Sequence, residues 1–209
     1  MSTPAALVFV VDDDASVRRS LVRLFRSAGL VAEAFESASA YLARVAHDGP
    51  SCLVLDVQMP ELNGLDLQQK LIESDRQEQI IFLTGKGDIP MCARAMKAGA
   101  VDFLPKPFED DEMLGAVERA LARSAQNRLE HTEQTDACAR VASLTPREFQ
   151  VLERVIAGML NKEIASELGT SIKTVKFQRG RVMEKMAVVS VAELVRLAQK
   201  AGITRPGGS

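Results

Sequence analysis

The sequence predicts an α/β protein: a doubly wound, five-stranded parallel sheet followed by an all-α unit. Three observations carry this. Short continuous apolar runs recur through the first half of the chain, the signature of strands buried on both faces of a parallel sheet. Segments of helical period separate them, which gives helices on both faces. From Ser143 onward the period is helical throughout. At 209 residues the chain exceeds one core of typical size, so two domains are expected.

The first strand, Leu7-Val8-Phe9-Val10-Val11, runs into Asp12-Asp13-Asp14. Val17, Leu21, Leu24 and Ala28 follow at helical spacing, and Gly29 ends that helix. A second strand covers Val31–Phe35. Ser37 then caps a helix expected to reach His47. The third strand, Cys52–Leu55, runs into Asp56. Met59-Pro60 breaks the chain, and Asn63 opens a helix to about Glu73. The fourth strand, Ile80–Leu83, stops at Thr84, and a helix follows over Pro90–Ala98 to Gly99. The fifth, Val101–Leu104, runs through Pro105 into Lys106. A last helix begins near Glu109, with Asp110, Asp111 and Glu112 suited to its positive end.

Residues 124–142 are polar, without Pro or Gly, and read as a linker that can continue this helix. The expected division is therefore 1–123, a linker at 124–142, and 143–209. In the last part, Thr145-Pro146-Arg147-Glu148 is a capping box that starts a helix to about Ala157. A short helix starts at Asn161, Gly169-Thr170 turns the chain, and Ser171 caps a longer helix to Met186. Two helices joined by a Gly-containing turn form a helix-turn-helix. A final helix covers about Val191–Ala201.

Composition narrows the function classes. The net charge of −2 hides −6 over residues 1–123 and +5 over residues 143–209. Only the basic part is expected to seek a polyanion. No apolar run approaches the ~18 residues of a membrane span, so no membrane association is expected. Met1-Ser2-Thr3-Pro4 shows no secretory signal. Cys52, Cys92 and Cys138 have neither metal nor disulfide spacing, and a reducing, cytoplasmic location is expected.

Ligands of parallel sheets sit at the carboxyl ends of the strands. Asp12, Asp13, Asp56, Thr84 and Lys106 should converge there. Clustered carboxylates repel unless they hold a proton or a hard cation. Asp12, Asp13 and Asp56 offer oxygens suited to Mg²⁺, and a carboxylate beside Mg²⁺ can attack phosphorus. Lys106 can balance phosphoryl charge, and the Thr84 hydroxyl can bind a phosphoryl oxygen. Asp14 reads as a helix cap.

These residues resemble those of the receiver domain of two-component response regulators. The resemblance is carried by Val11-Asp12-Asp13, Asp56 with Met59-Pro60 and Gly64, Thr84-Gly85, and Lys106-Pro107-Phe108. Gly87-Asp88-Ile89-Pro90-Met91 and Ala95-Met96-Lys97-Ala98-Gly99-Ala100 are similar to the FixJ subfamily. The resemblance implies a flavodoxin-like receiver in which Asp56 accepts phosphate from a sensor histidine kinase. It implies that Asp13, Asp56 and the Gln58 backbone carbonyl hold Mg²⁺, with Asp12 nearby through water. Thr84 and Lys106 would bind the phosphoryl oxygens, Phe103 would be the switch aromatic, and the Lys106-Pro107 bond would be cis. Gln58 and Lys86 stand at positions that tune phosphate lifetime, and Lys86 is expected to screen the phosphate from water.

On the helix after Ser171, Val175, Val182 and Met186 share one face. Lys173, Lys176, Phe177, Gly180, Arg181 and Glu184 share the other. Cations attract phosphates, and a helix fits the major groove. The stretch from Leu144-Thr145-Pro146-Arg147-Glu148 through Lys162-Glu163-Ile164-Ala165 to Glu184-Lys185-Met186 resembles a LuxR-type helix-turn-helix. This implies a recognition helix over Ser171–Met186, with Lys176, Phe177 and Gly180 facing bases. Lys162, Thr174, Arg179 and Lys185 would contact the DNA backbone. Two departures stand out: Gln178 replaces the family's His, and Gly180 costs ~1 kcal/mol against Ala inside a helix.

The chain is thus identified as a response regulator of the FixJ/NarL family, not an enzyme. The family implies a transcription regulator that dimerises on phosphorylation, binds double-stranded DNA and works with RNA polymerase. The rival class is a Mg²⁺-dependent phosphohydrolase. It needs a general acid two residues after the nucleophile, where Gln58 cannot serve. An acidic metal-binding scaffold without phosphorylation is a third reading.

Overall fold

The computed structural model describes residues 5–74, 76, 78–85 and 89–204. The chain divides into two compact units, Met1–Arg128 and Leu129–Ser209.

The first unit alternates strand and helix: β1 (Leu7–Val11), α1 (Ala15–Ser27), β2 (Val31–Phe35), α2 (Ala38–Leu42), β3 (Ser51–Asp56), α3 (Gly64–Glu73), β4 (Gln79–Thr84), α4 (Ile89–Lys97), β5 (Asp102–Pro105) and α5 (Asp110–Ala142). The strands form a parallel sheet in the order β2-β1-β3-β4-β5. Apolar side chains alternate between its faces because successive residues of a strand point oppositely. Phe9, Leu53, Leu55 and Phe82 pack with Tyr41 of α2, Leu67 and Leu71 of α3, and Ala95 of α4. Val8, Val10, Val54, Ile81 and Leu83 pack with Leu21 and Phe25 of α1 and with Met113 and Val117 of α5.

The expected strands and helices of this unit are present, with three differences. α2 ends at Leu42, short of His47. Arg44 turns back instead and lays its guanidinium over the Phe9 and Tyr41 rings, at 3.9 and 4.4 Å from their centroids. There it also pairs with Glu78. Tertiary contacts thus claim the residues that local pattern assigned to another helical turn. Phe25, rather than Ala28, completes the buried stripe of α1; Ala28 is the exposed C-cap, ahead of Gly29 at φ 76°. β5 lies one residue later than its apolar run: its pairing with β4 begins at Asp102, opposite Ile81.

α5 is one 33-residue helix whose first turn carries Asp110, Asp111 and Glu112. Residues 124–142 belong to it. The second unit continues with α6 (Pro146–Ile156), α7 (Asn161–Glu167), α8 (Ile172–Lys185) and α9 (Val191–Lys200). Its core joins Val151, Leu152, Val155 and Ile156 of α6 with Ile164 of α7, Val175 and Val182 of α8, Met186, and Leu194 and Ala198 of α9. The capping box at Thr145 and Glu148 is formed, and Ser171 and Ser190 cap α8 and α9. No described helix is long and apolar enough to cross a membrane.

Candidate functional site

Parallel register brings the reactive residues together. Val11 is level with Leu55, so Asp12 and Asp56 leave neighbouring strands side by side. Asp56 is level with Leu83, and Thr84 with Pro105. Asp12, Asp13, Asp56, Thr84 and Lys106 therefore meet at one sheet edge.

Asp12, Asp56 and Thr84 are 1%, 5% and 1% exposed, whereas Asp13 lies open to solvent. One carboxylate oxygen from each of Asp12, Asp13 and Asp56 lies within 4.8 Å of the others. The Lys106 ammonium stands 2.6 Å from Asp12 and 3.2 Å from Asp56. Burial raises the Asp56 pKa above the ordinary carboxylate range; Lys106 opposes the rise, and Asp12 and Asp13 add to it. Burial works to lower the Lys106 pKa, but the hydrogen bond and charge of Asp12, with those of Asp56, outweigh it and raise the value. The site therefore stores negative charge that one lysine only partly offsets. Carboxylate oxygens are the hard donors that Mg²⁺ prefers, and donors on one octahedral ion stand roughly 3–4.2 Å apart. The acidic cluster is compatible with that ion.

The backbone around the acids is fixed locally. Asp14 caps α1 by accepting from the Ser16 amide at 2.7 Å. Asp12 accepts from the Asp14 amide at 2.8 Å. The Lys106 amide donates to the Thr84 carbonyl at 2.7 Å, and the Lys106-Pro107 bond is cis. Gln58 is exposed beside the cluster, and Phe103 is half-buried with its ring 6.1 Å from that of Phe82. Lys86, Gly87 and Asp88 lie outside the described residues.

Arg18 carries no sign of a site role in the sequence, and Gly64, part of the motif above, carries none of its packing role. Arg18 donates to the Asp12 and Asp13 carbonyls at 2.7 and 2.9 Å, holding the acidic loop against α1. Gly64 packs so closely that a Cβ there would lie 2.5 Å from the Asp56 carbonyl oxygen. Its place after the Met59-Pro60 break is visible in the sequence; the close approach is not.

In the second unit, Lys173, Thr174, Lys176, Phe177, Gly180 and Arg181 are exposed on α8, opposite buried Val175 and Val182. Lys162 lies on α7. The Arg179 guanidinium donates to the Asn161 side chain at 3.1 Å, and Arg181 pairs with Glu184 at 2.7 Å. Lys185 is engaged within the unit: its ammonium donates to Glu148 at 2.6 Å and to the Ser143 carbonyl at 3.0 Å. That pair ties α8 to the capping box of α6 and, with the Thr145 amide, pulls the Glu148 pKa down to about 2.

The sheet edge and the basic helix face are matched by two families. Residues 8–118 match the response regulator receiver domain, and residues 142–198 match the bacterial regulatory proteins of the luxR family. The chain is a response regulator of the FixJ/NarL family. Nodulation protein W of Bradyrhizobium diazoefficiens is 49% identical over 95% of this chain and 88% of that protein. The transcriptional regulatory protein FixJ of the same species is 43% identical over 94% of this chain and 96% of its own length. The solved structure of the response regulator StyR is 46% identical and covers 94% of this chain and all of its own, with a TM-score of 0.85. This response regulator thus joins a phosphoacceptor-type domain to a DNA-binding domain and acts in transcription within a two-component system.

Proposed function

We propose that Asp56 is the residue that takes phosphate from a sensor histidine kinase, and that its phosphorylation raises affinity for DNA. One observation carries the reading: Asp56 ends β3 with Lys106 at 3.2 Å and the Asp12 and Asp13 oxygens within 4.8 Å. The Asp56 carboxylate attacks phosphorus. A P–O bond forms as the P–N bond to the kinase imidazole breaks, and the imidazole leaves with the electron pair. Asp13, Asp56 and the Gln58 carbonyl would hold Mg²⁺, with Asp12 reaching it through water. Bound there, Mg²⁺ supplies charge neutralisation at the transferring phosphoryl group. Lys106 and the Thr84 hydroxyl bind phosphoryl oxygens, and Phe103 follows Thr84 inward.

The phosphoryl group is held as a signal rather than turned over. A hydrolase would need a proton donor at Gln58, and an amide has none to give at neutral pH. The two-state shift exposes α4, β5 and the start of α5 for pairing with a second copy. The paired protein then engages double-stranded DNA on a two-fold site and works with RNA polymerase in the cytoplasm. Lys176, Phe177 and Gly180 face bases. Lys162, Lys173, Thr174, Arg179 and Arg181 meet phosphates. Lys185 contributes through the pair with Glu148 that seats α8.

The test is Asp56→Asn in the full chain. It should abolish labelling by a phosphodonor together with phosphate-dependent dimerisation and the gain in DNA affinity. Coupling of ~1–3 kcal/mol corresponds to a gain of about 5- to 150-fold. Undiminished activation in the variant refutes the reading.

A further inference from the structure

We propose that Phe177 reads the 5-methyl group of thymine in the major groove. The inference rests on the DNA-binding reading of α8 above and sharpens it to one base.

Phe177 is 68% exposed, although the apolar residues Val175 and Val182 of the same helix are buried. Its ring stands on the face that carries Lys173, Lys176 and Arg181. Lys173 and Arg181 serve any phosphate and carry no sequence information, and the Lys176 ammonium can read acceptor atoms of a base but not a methyl. The ring offers neither a conventional donor nor an acceptor, so it cannot hydrogen-bond a base edge. The apolar feature that the major groove presents to such a side chain is the thymine methyl. Gly180, one turn further along the same face, has open space where a Cβ would stand. Beside the ring the helix surface is therefore low, and a groove wall can come close. An aromatic projection next to a gap, set among cations, fits a methyl-bearing base edge held between phosphates.

The test begins with full-length protein treated with acetyl phosphate and used to select duplexes from a random pool. In the enriched duplex, each thymine is replaced in turn by deoxyuridine, which removes only the methyl. Affinity should fall about fourfold at one or two positions per half-site, the effect of losing one buried methyl-sized contact. Phe177→Ala should bind the thymine duplex correspondingly more weakly and show no further loss with deoxyuridine. Phe177→Met should restore the methyl dependence in part. Lys173→Ala should weaken every duplex while keeping the deoxyuridine loss. The proposal is overturned if no thymine shows a loss, or if the loss persists in Phe177→Ala. It is overturned equally if Phe177→Ala weakens binding of thymine and deoxyuridine duplexes alike, which marks the ring as a contact blind to the methyl. A chain that enriches no sequence overturns the DNA-binding reading itself, a separate and recognisable result.

Discussion

The Lys106 ammonium lies closer to Asp12, at 2.6 Å, than to Asp56, at 3.2 Å. The lysine thus occupies the acidic cluster that a divalent cation would otherwise neutralise alone. Two cations drawn to the same carboxylates compete. Lys106→Gln should raise Mg²⁺ affinity by about tenfold, the equivalent of one charge interaction of modest strength. It should also remove the response to phosphorylation. Mg²⁺ titration followed by receiver-domain resonances, beside a DNA-binding assay with acetyl phosphate, checks both parts.

Gly64 is required by contact rather than by turn geometry. An added methyl would stand 2.5 Å from the Asp56 carbonyl oxygen and 3.1 Å from the Val57 Cα. Backbone on both sides must move, and overpacking of this kind costs about 1–3 kcal/mol. Gly64→Ala should lower the denaturant midpoint of the first unit and slow phosphorylation of Asp56. Unchanged labelling kinetics would show that the loop yields without disturbing the acceptor.

The Glu148–Lys185 pair makes the second unit sensitive to acid. Its carboxyl is held at about 2 in the fold, first by Lys185 and then by the Thr145 amide. A depressed carboxylate stabilises the fold fully above its unfolded value, ~4.3, and that contribution is lost as pH falls through about 2. Amide-exchange protection of α6 and α8 in the full chain should therefore decline between about pH 5 and pH 2. Glu148→Gln should be less protected at pH 7 and should lose most of that decline.

Gly180 separates stability from function. Beyond its chain neighbours and its own helix backbone, an added Cβ would meet nothing within 4 Å, so Gly180→Ala should stabilise α8 by ~1 kcal/mol. DNA affinity should fall, because the methyl raises the low surface beside Phe177. Thermal unfolding and binding measured on one preparation decide it. A variant with higher stability and higher affinity would remove close groove approach from the account.

Much of this was legible locally. The apolar runs of β1, β3 and β4 needed no partner to be recognised, since strands buried on both faces carry no polar alternation. Asp14, Ser37, Asn63, Thr145 and Ser171 announced the helices they cap, because a cap satisfies amides within three residues of itself. α2 ends short of its local pattern because Arg44 is claimed by Phe9, Tyr41 and Glu78, two of which lie more than thirty residues away. Lys185 read as one more cation of a basic helix. Its engagement with Glu148, 37 positions earlier, has no local sign.

Residue type and spacing alone specify the strand and helix order, the acids, hydroxyl and amine at the strand ends, and the two faces of α8. Each depends on residue type and spacing over a few positions. How those groups share charge and space is set by the folded arrangement: Lys106 leaning to Asp12, Arg18 holding the acidic loop, Gly64 against the Asp56 carbonyl, Lys185 bound to Glu148. Such relations are distances between residues remote in the chain. Coulomb and packing energies depend on those distances, and register and core packing set them.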